Sequence, residues 1–358
     1  MYFVSIEKLV DALLERAIQL KATDIHLIPR KDKYDILYRF QGFLRPYRKI
    51  SHQTAERCIS HLKFISSMDI SEKRKPQSGS FQITLSDTIT SIRISTLPTA
   101  TTKESLVIRI LPCYAYHSLE KSALFPNQAK KLYAFMMHAH GLIIFTGPTG
   151  SGKSTTMYQI VENYASKSHR QVITLEDPVE KQNDQFLQVP INEKAGITYH
   201  TGLKAILRHD PDVILVGEIR DAETAKMAIR ASLTGHLVLT TLHTRDTKGA
   251  IYRLIEFGVR WHEIEQTLIA VTAQRLVQLL CPFCGEQCSS YCLQKSGERR
   301  VAVYEVLHGK ALQQVLKEAR GEKATYNYPT LQYWLRKGIA LGYISNTEFN
   351  RWVFQEKK

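Results

Sequence analysis

Residues 141–155 read GLIIFTGPTGSGKST, and the fold is decided there. GLIIF is a short apolar run of the kind that forms a buried strand. Gly147, Gly150 and Gly152 let the backbone that follows wrap closely around an anion, with successive N–H groups pointing inward. A helix opening at Lys153 adds the positive end of its dipole to the same point. Strand, glycine loop and helix in this order form the setting in which such a loop holds a nucleoside triphosphate such as ATP. Pro148, Thr149 and Ser151 fill the loop between the glycines, and Thr155 follows it. Lys153 can reach the β- and γ-phosphates, and Ser154 can ligate Mg²⁺ through its hydroxyl.

Downstream, short apolar strands alternate with helices: QVITLE, a helix near 201–208, VILVGE, a helix over 222–234, then HLVLTTLH. That alternation predicts an α/β core with a parallel sheet and helices on both faces. Ligands bind such sheets at the carboxyl ends of the strands, so residues just after each strand are candidates. VILVGE ends in Glu218, the expected general base that aligns water. TLEDPVE ends its strand with Glu176 and Asp177, which can hold Mg²⁺ or its waters, with Glu180 a weaker third. Asp177 can equally cap a helix that has Pro178 at its first position. His236 and His243 flank the strand HLVLTTLH, and His243 stands where a sensor of the γ-phosphate would sit, although a satisfied core histidine is the commoner fate beside a strand.

Upstream, residues 1–112 mix a leading helix with the strand-like runs DIHLIP, YDILYRF, SFQITLS, TSIRIS and SLVIRIL, which predicts a smaller α+β domain. Residues 113–128 are Pro-containing and aperiodic, as in a linker, and the ATPase core is expected over 129–280. Residues 247–280 look helical throughout. Residues 281–358 form a last region, a cysteine cluster followed by helical sequence over 310–356.

With 358 residues, 44% of them hydrophobic and 23% charged, the chain can build two or three buried cores, so disorder is not the default. A formal charge of +14 suits nucleic acid, an anionic membrane face or acidic proteins without choosing among them. Basic runs such as RKDK and EKRK are usually solvated faces. Nothing resembles a base-stacking platform or a groove-reading helix, which argues against direct nucleic-acid binding; a DNA-translocating ATPase is the alternative reading. No apolar run approaches the roughly 20 residues needed to cross a bilayer, and the amphipathic start carries Glu7, Asp11 and Glu15, unlike a signal peptide, so a cytoplasmic location is expected. Of six cysteines, Cys281, Cys284, Cys288 and Cys292 crowd into CPFCGEQCSSYC. Four thiolates can complete a tetrahedral Zn²⁺ site, with reduced thiols in a loop as the alternative.

Four stretches now stand in a telling order: GPTGSGKS, TLEDPVE, LRHDPDVILVGEIRDAET and TGHLVLTTLHT. Together they resemble the Walker A, Asp, Walker B and His boxes of the ATPases of type II secretion and type IV pilus assembly. ATDIHLIP, MDISEKRKPQSG, SIRISTLPTATTKESLVIRIL and RRVAVYEVL extend the resemblance over most of the chain. Within the family, the chain looks nearest to the motors of the competence pseudopilus of Gram-positive bacteria, which serve DNA uptake. The resemblance implies a RecA-like core behind a PAS-like N-terminal domain, a homohexamer, and a push delivered to an integral membrane platform protein at the inner face of the cell membrane. It also implies that Arg93 and Arg109, which otherwise read as exposed strand residues, stabilise charge on the γ-phosphate, with Arg208 and Arg220 ranked below them. The family commonly carries two CxxC pairs separated by a longer insert, from which the compact cysteine run departs.

Overall fold

The computed structural model describes residues 5–40, 43–85, 88–111, 118–168, 170–179, 182–285 and 300–353. The chain divides into two compact units, Met1–Ala115 and Tyr116–Lys358.

The first unit is a six-stranded antiparallel sheet covered on one face by two helices. Its elements are α1 (Ile6–Gln19), β1 (Asp24–Pro29), β2 (Tyr34–Phe40), β3 (Phe43–Ile50), α2 (His52–Ile65), β4 (Gln77–Leu85), β5 (Thr88–Pro98) and β6 (Glu104–Leu111). The strands lie in the order β3-β2-β1-β6-β5-β4. α1 buries Val10, Leu13, Leu14 and Ala17, the spacing that gathers side chains onto one helical stripe. Ser51 caps α2 by accepting a hydrogen bond from the Thr54 N–H at 3.2 Å. Period-two alternation sends Ile25, Leu27, Ile92, Ile94, Leu106 and Ile108 into the core shared with these helices. Asp24, His26, Arg93 and Arg109 occupy the alternate positions and so the opposite face.

The second unit is built on a seven-stranded sheet. Before it come α3 (Leu119–Ser122) and α4 (Pro126–Phe135). The sheet and its connections then run β7 (Gly141–Thr146), α5 (Lys153–Ala165), β8 (Val172–Glu176), β9 (Phe186–Pro190), α6 (Tyr199–Ile206), β10 (Val213–Val216), α7 (Ala222–Leu233) and β11 (Leu237–Leu242). α8 (Thr247–Glu256), α9 (Trp261–Thr267), β12 (Leu268–Gln278), β13 (Arg300–His308), α10 (Gly309–Ala319), α11 (Leu331–Ala340) and α12 (Asn346–Trp352) complete it. The strand order is β13-β12-β7-β11-β10-β8-β9. Every neighbouring pair is parallel except β12 with β13. The sheet is therefore mixed, one strand departing from the expected parallel arrangement.

Both faces are covered, as a parallel sheet requires. Along β7, Leu142 and Ile144 join one core with α6 to α10, while Ile143 and Phe145 join the other with α3, α4 and α5. Strands β8, β10 and β11 divide their side chains in the same way.

Two expectations change. Residues 247–280 are not helical throughout: the helices end at Thr267 and β12 continues to Gln278, pairing in parallel with β7. Its apolar and small residues face two cores at once, so no single helical stripe exists. The span expected as a linker holds α3 and the first residues of α4, and its Leu119, Ala123 and Leu124 are buried in the second unit.

Candidate functional site

The glycine loop runs from the carboxyl end of the interior strand β7 into α5. Gly147, Gly150 and Gly152 adopt φ of 148°, 78° and 85°, a region that penalises any Cβ. At Gly147 space excludes one too, since a Cβ would lie 2.6 Å from the Gln274 carbonyl, while at Gly152 it would press on the end of the Gln274 side chain, 2.9 Å away. Lys153 is buried, and its ammonium donates to the carbonyls of Gly147 at 2.9 Å and Pro148 at 3.2 Å. Burial lowers its pKa to about 8, opposed by the charge of Glu218 and aided by Arg275. The Ser151 hydroxyl is buried and has no partner among the described residues. Thr149, Gly150 and Thr155 are exposed, and Pro148 and Ser154 half-exposed. An ammonium folded back on its own loop and an orphaned hydroxyl suit an anion that would take both as donors. The same cradle offers the Ser154 hydroxyl for Mg²⁺.

Glu218 follows β10 in a turn pinned on both sides. The Gly217 N–H donates to Leu175 O at 2.8 Å, the Thr241 hydroxyl donates to Gly217 O at 2.7 Å, and the Ile219 N–H donates to Thr241 O at 3.0 Å. The Glu218 carboxylate therefore sits on rigid backbone at the edge that carries the loop. One of its oxygens pairs with Arg220, and the other lies 3.1 Å from His243 Nε2. Arg220 also reaches Asp177, 3.3 Å away. Burial works against the Arg220 charge, but the hydrogen bond and charge of Glu218 outweigh it and raise the pKa. Burial and the charges of Glu218 and Asp177 likewise push up the phenol of Tyr199, which begins α6. His243 is fixed through its neighbour, because the Thr244 N–H donates at 2.8 Å to the hydroxyl of Thr146 at the end of β7. The structure thus gathers Glu218, Asp177, His243 and Arg220 into one cluster.

Glu176 has partners of its own. It is buried, and one oxygen accepts from the Tyr158 hydroxyl and, at 2.6 Å, from the Thr174 hydroxyl. Those bonds fix it beside α5, whereas Asp177 is the acid that pairs with Arg220. No helix begins at Asp177 among the described residues, so capping does not account for it; its bond to Pro178 is cis. Glu180 lies outside the described residues. His236 bonds to Ala231 O at 3.0 Å and to the Thr234 hydroxyl at 3.2 Å, a satisfied structural histidine. Arg208 is exposed near the end of its helix.

Sequence reasoning missed Gln274 and Arg275. Both are buried on β12, and Arg275 donates at 2.8 Å to the Gln274 carbonyl that crowds Gly147. Reading β12 as helix hid them, because a strand buried on both faces shows no alternation to mark it.

In the first unit Arg93 and Arg109 are directly opposite each other on β5 and β6. Both are exposed. Of the cysteines, Cys281 and Cys284 bracket a tight turn in which the Phe283 N–H donates to Cys281 Sγ at 3.4 Å. Such an N–H···S bond stabilises a thiolate ligand, so the pair fits the first half of a zinc site. Cys288 and Cys292 lie outside the described residues, and no metal-ligand cluster occurs among those described.

The sequence model of the family described as Type II/IV secretion system protein matches residues 3–351. The chain belongs to that family. It is an ATPase, and the resemblance read from its four boxes is borne out. Competence protein ComGA of Bacillus subtilis (strain 168) is 54% identical over 354 residues, 99% of each chain. Type II secretion system protein E of Klebsiella pneumoniae is 41% identical over 281 residues, 78% of this chain and 56% of that one. The type IV pilus assembly ATPase TfpB of Acinetobacter baylyi is 42% identical over 281 residues, 78% of this chain and 48% of its own. The chain thus spans about half the length of these two longer relatives. The fold is similar to that of the pilus retraction motor PilT crystallised with ADP, at 24% identity and a TM-score of 0.71 over 96% of this chain and 97% of that one. No helix among the described residues is long and apolar enough to cross a membrane.

Proposed function

We propose that this chain is the motor ATPase that drives assembly of a competence pseudopilus for DNA uptake, with ATP held on the 147–154 loop and hydrolysed with Glu218 as general base. The observation that carries the catalytic reading is the Glu218 carboxylate on pinned backbone at the loop's sheet edge, paired with Arg220 and 3.1 Å from His243. The cargo rests on the full-length likeness to a competence protein.

Loop N–H groups and Lys153 hold the phosphates, Ser151 supplies a further donor, and Thr155 flanks the site. Ser154 and Asp177 are the residues to hold Mg²⁺, with Glu176 fixed behind Asp177. Mg²⁺ supplies charge neutralisation at the β- and γ-phosphates. Glu218 orients the attacking water, and His243 holds that carboxylate in place and sits where it can sense the γ-phosphate. Arg93 and Arg109 supply guanidinium groups to the developing phosphate charge. A RecA-like core and a PAS-like first domain then move relative to each other as nucleotide turns over, in a homohexamer at the inner face of the membrane, pushing on an integral platform protein. Cys281, Cys284, Cys288 and Cys292 form a structural Zn²⁺ site.

In cells carrying Lys153→Ala at wild-type protein level, pseudopilus assembly and DNA uptake should both vanish. Normal uptake in that strain would refute the proposal. Stimulation of the purified ATPase by DNA, with none by the platform protein, would instead favour direct DNA translocation.

A further inference from the structure

The register of the first unit's sheet sets Arg39, Asp24, Arg109 and Arg93 side by side on β2, β1, β6 and β5. Three guanidinium groups and one carboxylate thus form a single row across one sheet face. The carboxylate is the buried member, only 5% exposed. Asp24 Oδ1 accepts from Arg109 Nε at 2.9 Å, while Oδ2 accepts from the Thr23 hydroxyl at 2.9 Å and lies 3.6 Å from Arg39 Nε.

The atom that is gripped matters. A guanidinium held at Nε keeps its two terminal nitrogens together on the far side, the edge that meets a phosphate with two parallel hydrogen bonds. The Arg109 side chain is 57% exposed, so that edge is open. Without an acid in the row, mutual repulsion would drive the three cations apart and let Arg109 sample many rotamers. His26, next to Asp24 on β1, reports the positive field: burial first, then Arg39 and Arg109, hold its pKa down against the pull of Asp24.

We infer that Asp24 is a positioning residue for hydrolysis, holding Arg109 by its Nε so that the paired terminal nitrogens stay free and together for a phosphate. The inference rests on the role proposed above for Arg109, and that dependence is separable by experiment.

The full chain carrying Asp24→Asn, Arg109→Ala or both is compared with the unaltered protein for kcat, KM for ATP and melting temperature. Asparagine keeps the size of Asp24 and removes the charge that grips Nε. Asp24→Asn is expected to lower kcat about tenfold with KM within twofold, and to add nothing in the Arg109→Ala background, because pre-orientation has no value without the arginine. Effects that multiply, or full kcat in Asp24→Asn while Arg109→Ala is impaired, would overturn the inference alone. Full kcat in Arg109→Ala would remove the arginine's role and the inference with it. Should Asp24→Asn fail to fold, Asp24→Glu replaces it. Retaining the charge while displacing the grip by a methylene should still lower kcat, and unchanged turnover would be contrary.

Discussion

Burial of Lys153 places a titration in the working pH range. Ligand-free, its ammonium has a pKa of about 8 because burial disfavours the charge. Phosphate oxygens favour the charged form, so above that value ATP binding must draw a proton from solvent. Affinity for ATP is therefore predicted to be flat below about pH 7 and to weaken toward tenfold per unit above about pH 8. Calorimetry in two buffers of different ionisation enthalpy would detect the proton uptake; equal affinity at pH 7 and 9.5 would contradict it. The loop glycines make a second residue-scale prediction. Gly147→Ala places a Cβ against the Gln274 carbonyl at a φ of 148°, so the loop must shift and ATP binding should fall more than tenfold with little change in the rest of the fold. Circular dichroism and nucleotide titration separate those effects. The placement of Lys153 and Glu218 was legible because a strand, a glycine loop and a strand-end acid are local patterns. The partition of Glu176 from Asp177 was not: it depends on a tyrosine of α5 that holds Glu176 and on an arginine beyond β10 that pairs with Asp177.

At the scale of elements, the strands of the parallel sheet were readable from short apolar runs, and β12 was not. Its residues are apolar on both sides because it lies inside the sheet, and without alternation a buried strand and a buried helix look alike in sequence. The consequence reached the site, since Gln274 and Arg275 back the phosphate loop from this strand. The C-terminal segment depends on another element-scale contact. The buried Glu305 on β13 accepts from the Thr247 hydroxyl at 2.5 Å and from the Leu331 N–H at 2.8 Å, joining α8 to the start of α11. Glu305→Ala strands the Leu331 N–H and leaves the Thr247 hydroxyl only Tyr328, and is predicted to cost about 1–3 kcal/mol, with faster amide exchange at the start of α11. Denaturant titration and hydrogen exchange would test this; unchanged exchange there would deny the contact its structural role.

At the scale of the whole molecule, family membership over residues 3–351 fixes the class of machine, while the ring, its partners and its cargo belong to the proposal. If subunits act in a closed hexamer, inactive Lys153→Ala chains mixed equally with unaltered ones should reduce activity to well below half; a proportional loss would point to independent subunits. The central claim is that the glycine loop and Glu218 together perform hydrolysis. It is tested most directly by steady-state ATPase turnover of Glu218→Gln, measured beside its affinity for ATP. Glutamine keeps the shape and removes the base, so turnover should fall by about 10²–10⁴ with affinity within a few-fold. Turnover within threefold of the unaltered protein at equal ATP affinity would contradict the account.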